Sequence, residues 1–198
     1  MKHGSSNQAV VIVVSLVLAI FVILSPGAAF NQQRQISSEE KRTRDAFEKR
    51  VKEYVKLRQS VARKNLPKLS ADSTPEQIEV YKLAFQERIR EARPNAKPGE
   101  LFTPDIAGLI RGLIKAEFKG RERQELRQTV LEADTQGVPL RVNYVYPETK
   151  ELTQIPPTLL LELPPLPQEL RYRFVGRHLL LVDRENNVIV DYMLNALP

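Results

Sequence analysis

His178 and Asp191 are the two residues of this chain whose types and spacing could together perform acid–base chemistry. An imidazole and a carboxylate in hydrogen-bond reach can take up and return a proton, as a small hydrolase requires. If the turns near them are short, the two side chains sit diagonally on adjacent strands, in reach of each other. The ordinary interpretation is a surface ion pair worth about 0–1 kcal/mol, which we expect here, with the dyad as the alternative.

The remaining sequence holds no recognised catalytic or metal-binding motif. It contains no Cys and only two His residues, of which His3 lies in the leader. A zinc site would need His178 with carboxylates alone, without the paired spacing typical of such sites. GxSxG, P-loop and GxGxxG patterns do not occur. We therefore expect no cofactor and no bound metal.

An uncharged apolar run covers residues 9–24, AVVIVVSLVLAIFVIL, and no ionisable residue occurs between His3 and Arg34. A cleaved signal peptide is one interpretation, because small residues precede a potential cut after Ala29. A retained membrane anchor is the other, although it needs about 20 apolar residues. Both predict a bacterial cell-envelope protein, either periplasmic or anchored to the inner membrane and facing the periplasm. In the second case residues 9–24 contact the lipid bilayer.

The positive charge of the chain, +6 overall, is concentrated just after this run. Residues 34–64 hold eleven basic and five acidic side chains. Such a juxtamembrane segment can contact anionic lipid, and the alternative is a solvated helix face. Nucleic-acid binding is not expected, because stacking aromatics are not interleaved with the basic residues. The candidate membrane-proximal residues are Arg34, Lys41, Arg42, Arg44, Lys49, Arg50 and Lys52.

Periodicity predicts an α+β fold with an N-terminal hydrophobic helix, about four further helices, and a C-terminal antiparallel sheet of about five short strands. The first of the four helices should span Ser38 to Lys64, with Ser37 and Glu40 at capping-box spacing. Thr74-Pro75 and Thr103-Pro104 should begin the next two. We expect three regions: a leader over 1–29, a basic helical segment over 30–66, and a single globular domain over 67–198, with helices at 74–134 and the sheet at 138–194.

Two strands are predicted before the C-terminal meander. Alternating apolar residues over 140–146 indicate a half-buried strand. Prolines flank the leucine-rich run 158–163, which is typical of an edge strand. A polyproline ligand for an aromatic groove is the alternative for this run.

The meander itself should contain two hairpins, with Gly176 in a type II′ turn and a second turn at 184–187. These turns set a register in which Tyr172 opposes Leu181, which in turn opposes Val190. One face then holds an aromatic-rich layer made of Tyr172, Phe174, Leu179, Leu181, Val190 and Tyr192. The other face is also largely apolar, and it should be covered by helices or by a protein partner at Val175, Leu180, Val182 and Ile189.

Two segments resemble a family of uncharacterised exported bacterial proteins: residues 65–106, from NLPKLSADSTPEQIEV to FTPDI, and residues 156–198, from PPTLLLELPPLP to the end. The resemblance implies a leader followed by one secreted domain, and it implies no activity. Together with the apolar run, it predicts an exported or membrane-anchored envelope protein. We expect a non-enzymatic binding module or a subunit of a membrane complex. The alternatives are a small periplasmic hydrolase using His178 and Asp191, or a carrier of an apolar ligand.

Overall fold

Helices precede a small sheet along the chain, as predicted. The computed structural model describes residues 36–63, 66–119, 123–132 and 137–197. Within these ranges the helices are α1 (Ser38–Ala62), α2 (Pro75–Ala92), α3 (Pro104–Glu117), α4 (Gln124–Glu132) and α5 (Pro157–Glu162). The strands are β1 (Leu170–Val175), β2 (His178–Asp183) and β3 (Ile189–Met193). The α+β class is confirmed, but the described residues form a sheet of three strands rather than five.

The leader, including the N-terminal hydrophobic helix expected over 1–29, lies outside the described residues. Among the helices of the described ranges, none combines the length and apolar character needed to cross a membrane.

The predicted starts are observed for the first three helices, and the first two also have side-chain caps. The Ser37 hydroxyl accepts a hydrogen bond from the Glu40 N–H at 3.0 Å and caps α1. At α2 the capping box is complete, because Thr74 and Gln77 each accept a hydrogen bond from the backbone N–H of the other. Pro75 is the first residue of α2, where its missing N–H costs nothing. Local side-chain chemistry therefore defines where these helices begin.

The first hairpin has the predicted register. β1 and β2 are antiparallel, Val175 opposes His178, and Tyr172 opposes Leu181. Gly176 has φ = 52° in the connecting turn, a left-handed value that glycine adopts without strain.

The register predicted for the second hairpin is wrong by one residue. Leu181 opposes Asp191 rather than Val190, and Leu179 opposes Met193 rather than Tyr192. A β-bulge causes the shift, because Val182 pairs with Ile189 and leaves Val190 as the extra residue of β3. Asp191 consequently lies on the aromatic-rich face, and Tyr192 on the opposite one.

The edge strand predicted at 158–163 is also wrong, because residues 158–162 lie in α5 and Leu163 is its C-cap. The Leu160 N–H donates to the Pro156 carbonyl at 2.9 Å, and the Leu163 N–H donates to Leu159 at 3.0 Å. Leu159 and Leu163 are buried, whereas Leu160 and Leu161 are exposed. This i, i+4 burial suits a helix, and Pro157 occupies its first turn.

The strand predicted at 140–146 is reduced to one bridge between Val145 and Val188. Asn143 interrupts the extended conformation with φ = 65°. The segment nevertheless lies beside residues 187–189, where β3 begins, because the Asn143 N–H donates to the Ile189 carbonyl and the Tyr146 N–H to that of Asn187, both at 2.8 Å. Pairing is too irregular for a strand.

This same segment covers the second apolar face of the sheet. Val175, Leu180, Val182 and Ile189 are buried in a cluster with Tyr146, against which Val138, Leu140, Leu152 and Tyr192 also pack. The four side chains that suggested a partner surface are therefore buried against other residues of the chain itself.

The main core lies between the helices and the aromatic-rich sheet face. The rings of Phe47 (α1) and Phe102 stack with centroids 5.9 Å apart, and Phe102 lies 6.4 Å from Tyr172 of β1. Phe118 meets Phe174 edge-on at 6.1 Å. Residues 36–198 form one compact unit, so the basic helix α1 packs into the same core as the rest of the described chain.

Candidate functional site

Asp191 acts as an anchor for the backbone between α2 and α3. Its Oδ1 accepts hydrogen bonds from the N–H groups of Gly99 and Tyr192, and its Oδ2 accepts from those of Leu101 and Phe102, all at 2.8 Å. The side chain is fully buried. Both oxygens of the carboxylate therefore accept two hydrogen bonds each, and these bonds connect β3 to the loop that leads into α3.

His178 is half-buried and has a different environment. Its Nδ1 accepts a hydrogen bond from the Asn195 N–H at 3.1 Å. Burial, together with the neighbouring Arg177 guanidinium, lowers the pKa of His178 below its ordinary value. Both effects disfavour the charged imidazolium relative to the neutral imidazole.

The structure does not bring His178 and Asp191 together. His178 shares a sheet face with Leu180 and Val182, whereas Asp191 opposes Leu181 on the other face. The one-residue shift at the bulge causes this separation. Because the two side chains lie on opposite faces of the sheet, the register supports neither an acid–base dyad nor an ion pair between them.

Arg58 forms a buried ion pair that connects α1 to the β2–β3 turn. Its Nε donates to Asp183 Oδ2 at 2.5 Å, and its Nη2 donates to Glu185 at the same distance. The guanidinium also lies over the Phe85 ring, 5.5 Å from its centroid. Asp183 Oδ1 accepts from the N–H groups of Glu185 and Asn186. In the sequence, Arg58 falls on the apolar side of α1, and this position could have indicated a buried ion pair.

Arg93, just after α2, performs a similar structural role. It donates to Asn143 Oδ1 at 2.8 Å, to the Val190 carbonyl at 3.2 Å and to Glu100 at 2.7 Å. Its guanidinium lies 5.2 Å from the ring centroid of Tyr54. Like Arg58 and Asp191, it connects helices to the sheet.

The membrane-proximal basic residues divide into two groups. Lys41, Arg42, Lys49 and Lys52 are exposed on α1. Arg50 is half-buried, Arg44 donates to Glu40 and to the Glu162 carbonyl, and Arg34 lies outside the described residues. Lys56 and Arg63 extend the exposed group. At 3.6 residues per turn the six exposed side chains occupy a sector of about 100° opposite the buried residues. We call Lys41, Arg42, Lys49, Lys52, Lys56 and Arg63 the α1 basic stripe.

A second basic feature, which sequence reasoning missed, lies at the free edge of β1. A cavity of about 360 Å³ contains three arginines and several apolar side chains. We call it the arginine pocket; it is lined by Gln154, Ile155, Leu160, Pro164, Pro165, Leu166, Leu170, Arg171, Tyr172, Arg173 and Arg184. The alternating arginines of β1 are visible in the sequence, but the third comes from the β2–β3 turn.

Comparison of the chain with protein-family models, with curated proteins and with solved structures gave no match in any of the three. The resemblance to exported bacterial proteins therefore stays a prediction. Within the described ranges, no three His, Asp or Glu side chains are grouped so that they could hold a metal ion.

Proposed function

We propose that this chain is an exported or membrane-anchored envelope protein that serves as a non-enzymatic binding module or a subunit of a membrane complex. Residues 9–24 would direct it to the membrane, and the folded unit would stand on the periplasmic side. The α1 basic stripe supports the membrane contact in this proposal, because it follows the apolar run in the sequence and presents cations to solvent. The periplasmic side of the proposal rests on the leader.

The stripe suits an anionic lipid surface electrostatically. It holds six cations, of which Lys52 is paired with Glu48 of the preceding turn at 3.3 Å. Among the acidic residues of α1 that are also exposed, Asp45 falls inside its sector. Each Lys or Arg close to such a surface contributes on the order of 1 kcal/mol. The opposite side of α1 is committed to the core through Phe47, Val51 and Tyr54. The helix can therefore lie against lipid headgroups without unfolding.

The hydrogen bonds of the buried carboxylates argue against the hydrolase alternative. Asp191 and Asp183 both use their oxygens to hold backbone N–H groups, and His178 accepts a backbone hydrogen bond. An apolar-ligand carrier is the second candidate, and the apolar side chains that line the arginine pocket are the observation that favours it.

The test uses the absence of cysteine from the sequence. A Ser60→Cys variant of the full chain carries one fluorophore beside the stripe and is reconstituted into vesicles whose headgroups bear a nitroxide quencher. We expect stronger quenching in phosphatidylglycerol than in phosphatidylcholine vesicles, and a loss of this difference at high salt.

The matched variants separate the stripe from overall charge. Replacing Lys49, Lys52 and Lys56 with Gln should abolish the lipid preference, whereas replacing the exposed Lys97, Lys115 and Lys119 with Gln changes the net charge equally and should preserve it. Equal quenching in both lipids, or equal effects of the two triple variants, would contradict the proposal.

A further inference from the structure

The arginine pocket lies where β1 has an unpaired edge. Phe174 of β1 exchanges backbone hydrogen bonds with Thr153, but the chain then turns away through Pro156 into α5. Because an antiparallel ladder alternates, the N–H and carbonyl of Tyr172 also point away from β2. This leaves one N–H donor of the strand at the pocket.

Two of the guanidinium groups lie along this edge. Arg173 Nη1 donates to the Tyr172 carbonyl at 2.9 Å. Arg184 Nε donates to the Gln168 carbonyl at 2.8 Å, and its Nη2 is 3.5 Å from the Leu170 carbonyl. Each group uses one or two of its five N–H donors in this way, and the others remain for a ligand.

The third guanidinium adds charge that the surrounding chain does not neutralise. Arg171 Nη2 donates to Asn187 Oδ1 at 2.6 Å, while its buried Nε has no acceptor among the described residues. No ion pair in the described part of the chain involves Arg171, Arg173 or Arg184. The Asp183 carboxylate acts electrostatically on Arg171, and it is bonded to Arg58. Burial, then repulsion between these arginines, lowers the pKa of both Arg171 and Arg173.

Apart from Gln154 and Tyr172, the rest of the lining is apolar. Ile155, Leu166 and three further apolar side chains line the cavity together with the arginines. Leu160 lines it from α5 while remaining 52% exposed. A volume of about 360 Å³ falls in the range of small-ligand pockets. A ligand that matches both the arginines and the apolar side chains must carry an anionic group and an apolar chain.

We propose that the arginine pocket binds the phosphate group of a small amphiphilic ligand, with its apolar chain placed against Ile155, Leu160 and Leu166. Guanidinium groups bind phosphate oxygens through paired, charge-assisted N–H donors. The Tyr172 N–H supplies a further donor at the strand edge. The phosphate can come from a lipid headgroup or from a soluble phosphate ester. This site is separate from the α1 basic stripe and does not rest on it.

The test follows the arginine Nε–H signals of the full chain by NMR, in a non-ionic maltoside detergent. The probes are butyl phosphate as a soluble ester, dihexanoyl phosphatidylglycerol below its micelle concentration as a headgroup, inorganic phosphate, and butanol. We expect Arg173 and Arg184 signals to shift with at least one of the two amphiphilic probes, and that probe identifies the source. Inorganic phosphate should bind about tenfold more weakly than that probe.

Arg173→Gln and Arg184→Gln should each weaken binding about tenfold or more, since each removes a charge-assisted contact. Arg88→Gln on α2 makes the same charge change away from the pocket and should leave the affinity unchanged. Should a variant misfold, the wild-type signals still decide. The proposal is overturned if neither amphiphilic probe shifts these signals, if butanol shifts them equally, or if inorganic phosphate binds as tightly as the ester.

Discussion

Replacing Arg58 with Met should destabilise the fold strongly, because it removes the cation that neutralises a fully buried carboxylate. Asp183 is 0% exposed and lies 2.5 Å from the Arg58 Nε. Breaking a buried ion pair by deleting one partner costs about 3–5 kcal/mol. Loss of the guanidinium from the face of Phe85 adds about 0.5–2 kcal/mol. We therefore expect the free energy of unfolding to fall by about 3.5–7 kcal/mol.

Two further variants isolate the cause. Glu185 is bonded to the same guanidinium but its side chain is 67% exposed, so Glu185→Gln should cost less than about 1 kcal/mol. Adding Asp183→Asn to Arg58→Met removes the unpaired charge and keeps an oxygen for the turn amides. The double variant should therefore be more stable than Arg58→Met alone.

Denaturant and thermal unfolding of the purified full chain in detergent measure these differences. For a chain of this size each kcal/mol corresponds to about 2–4 °C, so Arg58→Met should lower the Tm by about 7–28 °C. The reasoning would be refuted if Arg58→Met stayed within 1 kcal/mol of the wild type. It would also be refuted if Glu185→Gln were equally destabilising.

Three further predictions concern α5, the carboxylate anchor and the histidine. Leu159→Ala should cost about 2–5 kcal/mol and Leu161→Ala, at 86% exposure, under about 0.5 kcal/mol; similar losses in an unfolding assay would support a strand, in which both share a face. Asp191→Ala leaves buried N–H donors without acceptors at about 1–3 kcal/mol each, so the total loss should exceed about 3 kcal/mol, and unchanged hydrogen exchange at those amides would contradict this. Because folding lowers the pKa of His178, the stability that this residue contributes is fully present above pH 6.5. It is lost as the pH falls through the lower pKa of the folded state. NMR titration in a His3→Gln background should give a midpoint below 6.5 that rises in Arg177→Gln, and a midpoint above 6.5 would count against it.

The starts of α1 and α2 could be predicted because the residues that define them are close in sequence. Ser37 with Glu40, and Thr74 with Gln77, make their hydrogen bonds across three residues. The first hairpin is equally local, since Gly176 supplies the positive φ that its turn needs. In each case the determining interaction lies in one turn of the chain.

The wrong predictions depend on distant contacts. The bulge in β3 places Asp191 beside the N–H groups of Gly99 and Phe102, about ninety positions earlier in the chain. The periodicity of a strand contains no information about such a distant contact. The run 158–163 is compatible with a strand or a helix, and burial of Leu159 and Leu163 against the core selects the helix. Likewise the arginine pocket combines β1 with the β2–β3 turn, so its third arginine could not be assigned from the strand pattern alone.

The predicted envelope location is the claim on which the proposed function depends most directly. Protease digestion of intact cells and of spheroplasts of a Gram-negative host, followed by mass analysis of the N-terminus of a C-terminally tagged full chain, tests it in one measurement. We predict that the tag is protected in intact cells and digested in spheroplasts, with an N-terminus at Met1 for an anchored chain or after Ala29 for a cleaved one. Full-length protein that stays protected in spheroplasts and fractionates with the cytosol would contradict the account.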